Sequence, residues 1–220
     1  MNGAGLTELY RHRFSRSERE RKDRIWAVLC EAYFQRYIRP TDTVLDIACG
    51  QGEFIRHIRC ARKLAVDLNR EVEKNLPPDI EYHCSAADRL EAVSSGTVDV
   101  CFVSNFFEHL PSKEAMDAVL LEIKRVLKSG GLFINMQPNI RYEPGRYWDF
   151  YDHLLPLSHL SAAEGLSKNG YKVEKLIPRF LPFTTKSALP QHPLLVRAYL
   201  KLPFAWRLMG GQFLVVARVP

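Results

Sequence analysis

No stretch of this chain stays apolar for the ~18 residues that a bilayer-spanning helix needs, so no transmembrane segment is expected. The first residues, MNGAGLTELYRHRF, have no apolar run of the kind a secretory leader carries, which points to a cytoplasmic protein. Cysteine is sparse: five residues, at 30, 49, 60, 84 and 101, without a CxxC pair or zinc-like spacing. That odd number, with no paired spacing, argues against a disulfide framework and suits thiols kept reduced. No cluster has metal-ligand spacing, and no metal is expected. Internal repeats and low-complexity tracts are missing too. Acid is absent altogether from Lys175 to Pro220, where Lys175, Arg179, Lys186, Arg197, Lys201, Arg207 and Arg218 leave a local excess of cations within a chain whose net charge is +6.

What remains is ordinary globular composition, 46% apolar and 25% charged over 220 residues, enough for one large α/β domain. The chain is organised around residues 43–54, TVLDIACGQGEF: an apolar strand running into a glycine turn that opens a helix. Apolar runs of this shape recur as KLAVDL (63–68), IEYHCS (80–85), VDVCFVSN (98–105) and LFINMQP (132–138). Between them lie helical patterns: EFIRHIRC, NREVEKNL, a brief helix after Asp88, and residues 113–128, which Gly130 and Gly131 are expected to cap. Ahead of them, apolar residues from Ile25 to Ile38 predict one helix ended by Pro40. Strands alternating with helices predict a parallel sheet covered on both faces. YKVEKLI and GQFLVVARV add two strands, preceded by a helix with Ser158 as N-cap and Gly170 at its end. They flank an insertion with five prolines.

Three acids stand at successive strand ends: Asp46, Asp67 and Asp88. In an open α/β sheet such ends converge on one crevice. A dinucleotide would need G-x-G-x-x-G, but Ile55 occupies the third glycine position, and Asp46 would repel a pyrophosphate at the turn. A ligand with a cationic amino-acid part, a ribose and an adenine fits better. Asp67 can take the ribose hydroxyls, and the region of Asp88 can meet the adenine amino group.

The motifs DIACGQG, VDLN, SAADRL and SNFFEHL, then a long helix and LKSGGLFI, resemble those of the class I S-adenosylmethionine-dependent methyltransferases over about residues 40–138. The resemblance implies a Rossmann-like three-layer α/β sandwich with a seven-stranded, mostly parallel sheet in the order 3-2-1-4-5-7-6. It implies S-adenosylmethionine as cofactor and S-adenosylhomocysteine as product. Asp46, Ala48, Gly50 and Gly52 would border the methionine part, Asp67 and Leu68 the ribose, and Ala87 and Asp88 the adenine. Asn105 would lie near the reacting centre. Ala48-Cys49 departs from the glycine and small residue common in the family. The chain then reads as one methyltransferase domain over 1–220: an N-terminal helical cap or lid (1–40), a cofactor core (41–138), and an acceptor side with the last strands and basic insertion (139–220).

Methyl transfer to a hydroxyl needs alignment and a base. Candidates are His109, in the EHL after the fourth strand, and His153, with Asp152 beside it as an orienting carboxylate. Tyr147, Trp148 and Tyr151 would stack on an acceptor. These residues suit O-methylation of a glycan, a glycolipid intermediate or a natural-product small molecule. RNA methylation is the enzymatic alternative, and a cofactor-binding interaction protein without turnover the non-enzymatic one. The basic 175–220 region is read as a shielding cap or as a peripheral contact with anionic lipid; nucleic acid is disfavoured because no known module accompanies it. Oligomeric state has no signature in the sequence.

Overall fold

A computed structural model describes residues 16–183 and 192–220. The TELYRHRF segment, expected as a lid, lies outside the described residues, as does Lys186 of the insertion. Seven strands form one sheet: β1 (Thr43–Ile47), β2 (Arg62–Asp67), β3 (Ile80–Cys84), β4 (Val98–Ser104), β5 (Leu127–Pro138), β6 (Lys172–Ile177) and β7 (Gln212–Arg218). Their order is β3-β2-β1-β4-β5-β7-β6, as expected. Pairing is parallel except that β7 runs antiparallel to both β5 and β6.

Six helices accompany the sheet among the described residues: α1 (Arg16–Ala32), α2 (Glu53–His57), α3 (Lys113–Val126), α4 (His159–Lys168), α5 (Pro193–Leu200) and α6 (Pro203–Met209). Side chains alternate across a strand, so each central strand feeds two apolar layers. Leu45 and Ile47 of β1 join the layer that holds Met116, Leu120 and Ile123 of α3 and Leu166 of α4. Val44 faces the other layer, with Trp26 and Leu29 of α1 and Phe54 of α2. Asp46 shares Val44's parity, which sends a carboxylate towards the α1–α2 side.

Several local expectations are corrected. The helix expected through Ile38 stops at Ala32 and gives way to a 3-10 turn at Phe34–Tyr37. Arg36 causes the break by donating to the carbonyls of Ala32 and Tyr33, which a longer helix would have used. EFIRHIRC forms little more than one turn, and NREVEKN is 3-10 rather than α-helical. No helix follows Asp88; the turns there are held by side chains of α3. Glu122 accepts the Leu90 N–H, and Arg125 donates to the carbonyls of Leu90 and Val93. Gly130 and Gly131 do not cap α3. Leu127 is already extended and opens β5, and the glycines lie where the register against β4 shifts between Val98 and Val100. Gly131 has no room for a side chain, since a Cβ would lie 2.8 Å from the Lys128 carbonyl oxygen.

α4 forms where expected, with Ser158 and Ser161 in a reciprocal capping box and Gly170 at φ 79° behind it. In the insertion, Pro193 and Pro203 each open a short helix, a position that costs proline no hydrogen bond. No helix among the described residues is long and apolar enough to cross a membrane. All five cysteines are free, and Cys30, Cys49 and Cys101 are buried.

Candidate active site at the carboxyl edge of the sheet

The carboxyl ends of β1, β2 and β4 open on a cavity of about 590 Å³. Backbone strain marks two of those ends. Ala48 after β1 and Asn105 after β4 are the two non-glycine residues with positive φ among those described, at 54° and 49°, and both line the cavity. Such conformations cost roughly 1–2 kcal/mol for a residue bearing a Cβ, and they concentrate where the backbone must present itself to a ligand. Gly50, at φ 57°, lines the cavity too, and a Cβ there would meet nothing nearer than Glu53 Oε2 at 3.9 Å. The turn is therefore open towards the cavity.

The acids anchor this wall. Asp67 Oδ2 accepts the Gly50 N–H and Oδ1 accepts the Asn69 N–H, each at 2.9 Å. A carboxylate has about four lone-pair directions, so it keeps capacity for two hydroxyl donors. The loop carrying it is braced by Tyr82, whose hydroxyl donates to the carbonyls of Asp67 and Asn69. Asp46 is 3% exposed, lines the cavity, and its Oδ2 has no hydrogen-bond partner among the described residues. Burial, then the neighbouring Glu53 carboxylate, pushes Asp46 well above the usual carboxylate range. Burial raises Asp67 too, against the N–H groups of Asn69 and Gly50. An unsatisfied buried carboxylate is costly, and a cationic ligand group relieves it. Apolar walls come from Trp26, Phe54 and Phe102, the last two stacked with centroids 3.7 Å apart.

Of the cofactor residues read from the sequence, Asp46, Ala48, Gly50, Asp67, Leu68, Ala87, Asp88 and Asn105 all line the cavity. Gly52 does not. It sits at φ 74° as the N-cap of α2, where a Cβ would press on Leu76 Cδ2 at 2.4 Å. Its work is to start the helix.

At the other end of the cavity, residues distant in sequence meet. His109 and Asp152 both line it. The His109 Nδ1 lies 3.0 Å from the Asp152 carbonyl oxygen and 3.4 Å from its Oδ2, which favours the tautomer with the proton on Nδ1. His153 is not on the cavity wall. It is 8% exposed, stacked on Phe150 and edge-on to His109 and Tyr147. Behind His109 lies Glu108, 2% exposed, with Oε2 lacking a hydrogen-bond partner among the described residues. Glu108, His109 and His153 each bring a potential ligand atom within 4.8 Å of the others, an arrangement a divalent ion could use and one that sequence spacing could not reveal.

The stacking trio reads differently in three dimensions. Tyr147 is fully buried, its hydroxyl donating to the Leu155 carbonyl, whereas Trp148 and Tyr151 are 53% and 90% exposed. None of the three lines the cavity. That part of the cavity is walled instead by Phe106, His109, Leu110, Asp152 and Leu154. Sequence reasoning did not single out the α1 residues Arg19, Lys22 and Trp26 on the same cavity, or Glu53, which pairs with Lys22 at 2.8 Å. Their only signal was proximity to the glycine turn or to the expected N-terminal cap.

Comparisons with known proteins point to methyltransferases. Residues 45–135 match the family described as "Methyltransferase domain". Over 202 residues the chain is 23% identical to ltbC of Aspergillus luteorubrus, named a probable methyltransferase, covering 83% of this chain and 68% of that one. It is 33% identical over 92 residues to a Methanocaldococcus jannaschii protein named for methylation of large-subunit ribosomal RNA, covering 41% of this chain and 22% of the relative. Among solved structures, an S-adenosylmethionine-dependent methyltransferase of Archaeoglobus fulgidus superposes with a TM-score of 0.65 at 20% identity, covering 90% and 94% of the two chains.

Proposed function

We propose that this chain, a class I S-adenosylmethionine-dependent methyltransferase, delivers its methyl group to a hydroxyl oxygen of a glycan, a glycolipid intermediate or a natural-product small molecule. The observation that carries the reading is the two-ended cavity, with carboxylates and strained backbone at one end and the His109–Asp152 pair at the other. When bound, S-adenosylmethionine supplies a methyl group already activated by its sulfonium. The chain has to bind, align and remove a proton.

On this reading residues 41–138 hold the cofactor. Asp67 accepts the ribose hydroxyls with the lone pairs left over from Gly50 and Asn69. Asp46, buried and unsatisfied at Oδ2, faces the cationic amino-acid part. Leu68 lies with Asp67 at the ribose, Ala87 and Asp88 border the adenine, and Asn105 stands near the reacting centre. His109 takes the acceptor proton, held in orientation by Asp152. We assign this step to His109 rather than to His153, because His109 alone of the two is on the cavity wall. His153 packs behind it as a positioning residue.

RNA methylation is the second reading, favoured by the M. jannaschii relative's name and by the net charge of +6. Against it, four of the cations from Lys175 onward are engaged within the chain: Lys175 with Tyr37, Arg179 with the carbonyls of Gly210 and Leu208, Arg197 with Glu31, and Arg218 with Glu174. Phosphate contacts need free cations.

Two variants test the assignment. Asp67→Ala should abolish calorimetric binding of S-adenosylhomocysteine; unchanged binding would sink the cofactor site. His109→Ala should keep that binding and lose roughly 10²–10⁴-fold in methyl transfer to a hydroxylated acceptor. If His109→Ala stays fully active, the base lies elsewhere.

A further inference from the structure

Exposed apolar side chains are not spread evenly over this protein. Thirteen large hydrophobic residues are exposed among those described, and six of them fall between Leu194 and Met209. They are Leu194, Leu195, Leu202, Phe204, Leu208 and Met209, with Phe204 64% and Leu208 73% exposed. Scattered exposed apolar residues are normal, but a concentration of this kind marks a contact surface.

The patch is not a poorly packed edge, because its inner face is well anchored. Leu200 is buried, and Trp206 packs against Tyr33 and Phe180 with centroids 5.9 and 5.2 Å away. Trp206 Nε1 donates to the Tyr199 carbonyl, and the Tyr199 hydroxyl donates to the Phe180 carbonyl. Arg197 reaches across to Glu31 of α1. With α5 and α6 held from beneath, the remaining side chains are presented outward.

Charge selects the occupant. Lys201 and Arg207 stand among the apolar residues, both exposed, and neither makes a side-chain hydrogen bond or ion pair among the described residues. No acid occurs anywhere from Lys175 to Pro220. A two-fold contact between copies of this chain would set these cations against themselves with no acid in the stretch to meet them. A nucleic acid would use the cations and leave the leucines and Phe204 in water. An anionic bilayer surface satisfies both: the apolar tips enter the acyl boundary while lysine and arginine meet the headgroups. We infer that α5 and α6 form a peripheral docking face for an anionic phospholipid membrane. The face lies outside the cavity, since no residue of it lines that wall.

The test is sedimentation of the whole protein with vesicles of phosphatidylcholine alone or mixed with phosphatidylglycerol. The protein should pellet with the mixed vesicles and not with the neutral ones. Paired substitutions Lys201→Glu with Arg207→Glu should weaken this by roughly tenfold or more. Phe204→Ser with Leu208→Ser should weaken it as well, whereas a headgroup-only contact would be indifferent to that pair. Circular dichroism and S-adenosylhomocysteine binding should be unchanged in both variants, which separates loss of docking from loss of fold or of the cofactor site. No pelleting with mixed vesicles would overturn the inference. So would pelleting that both variants retain, or a dimer in light scattering that Phe204→Ser with Leu208→Ser dissolves.

Discussion

Glu108→Gln should make this protein more stable at neutral pH, and the gain should disappear in acid. Burial pushes the Glu108 carboxyl from 4.5 up to about 7; His109 opposes the rise and Asp152 adds to it. In the unfolded chain the group titrates at its ordinary value. Between pH 4.5 and 7 the folded protein therefore holds a proton that the unfolded chain has released, so stability falls as pH rises through this window. The contribution is fully present below the unfolded value and gone above the folded one. At about 1.4 kcal/mol per pH unit, the window corresponds to about 3 kcal/mol. Glutamine keeps the size of the side chain and removes its charge. It also keeps the Glu108 main-chain carbonyl, which accepts the N–H groups of Leu154 and Leu155. Urea unfolding followed by tryptophan fluorescence at pH 5, 6, 7 and 8 reads the difference directly. The variant should gain up to about 3 kcal/mol at pH 8, or about 6–12 °C in Tm for a chain of this size, and little at pH 5. A variant less stable than the parent at every pH, or a gap that does not change with pH, would refute the argument. Retention of so costly a carboxylate beside the His109–Asp152 pair is what a stability–activity trade-off looks like.

The two glycines of the turn should fail in different ways. Gly52→Ala, with its Cβ against Leu76 and φ at 74°, should cost about 1–3 kcal/mol in denaturant unfolding and leave binding intact, whereas Gly50→Ala, at φ 57° with room for its Cβ, should cost about 1–2 kcal/mol from the backbone alone and also weaken S-adenosylhomocysteine binding, because Gly50 lines the cavity. The reverse pattern would undo their assignment. Affinity for S-adenosylmethionine should climb with pH as Asp46 and Asp67, both held above the usual range by burial, lose their protons. Calorimetry from pH 5 to 8 should show the same rise for S-adenosylhomocysteine, which keeps the α-ammonium of the amino-acid part, and an affinity that does not change with pH would argue against a cation–carboxylate contact. Treatment with a chelator should leave methyl transfer unchanged; a loss restored by a divalent ion would turn the Glu108, His109 and His153 cluster into a metal centre and displace His109 as base.

The gathering of the proposed cofactor residues on one edge was legible because that edge is built from strand ends. Once TVLDIA, KLAVDL and VDVCFVSN are placed as adjacent parallel strands, Asp46, Asp67 and Asn105 have no choice but to share an edge. Glycines alone would have left the ligand open; the absent third glycine and the carboxylate at 46 narrowed it. Local helix ends were less legible, because they depend on side chains arriving from elsewhere. Arg36 truncates α1 through carbonyls in its own neighbourhood, but the turn after Asp88 is held by Glu122 and Arg125, more than thirty residues away.

The proposed acceptor end follows a different logic. Residues 139–157 are irregular, so neither a two- nor a 3.6-residue period tells which side chains turn inward. From sequence Tyr147 and Trp148 are candidate stacking residues and His153 with Asp152 a candidate base and its orienting carboxylate, and the backbone decides which of them turn inward. The carbonyl of Glu108 accepts two N–H groups from Leu154 and Leu155, and the Tyr147 hydroxyl closes on the Leu155 carbonyl. Those bonds pin the segment to the 3-10 turn at Phe107–His109, bury Tyr147, and swing Asp152 onto His109 while Trp148 and Tyr151 stay outside. The result couples the wall of the proposed acceptor end to its proposed base. The residue that follows Glu108 in sequence is the one Asp152 orients, so the backbone that shapes the acceptor pocket also places the histidine that would serve it. Changes in residues 139–157 that alter acceptor choice should therefore alter the rate of the chemical step as well, while leaving the strand-borne cofactor half intact.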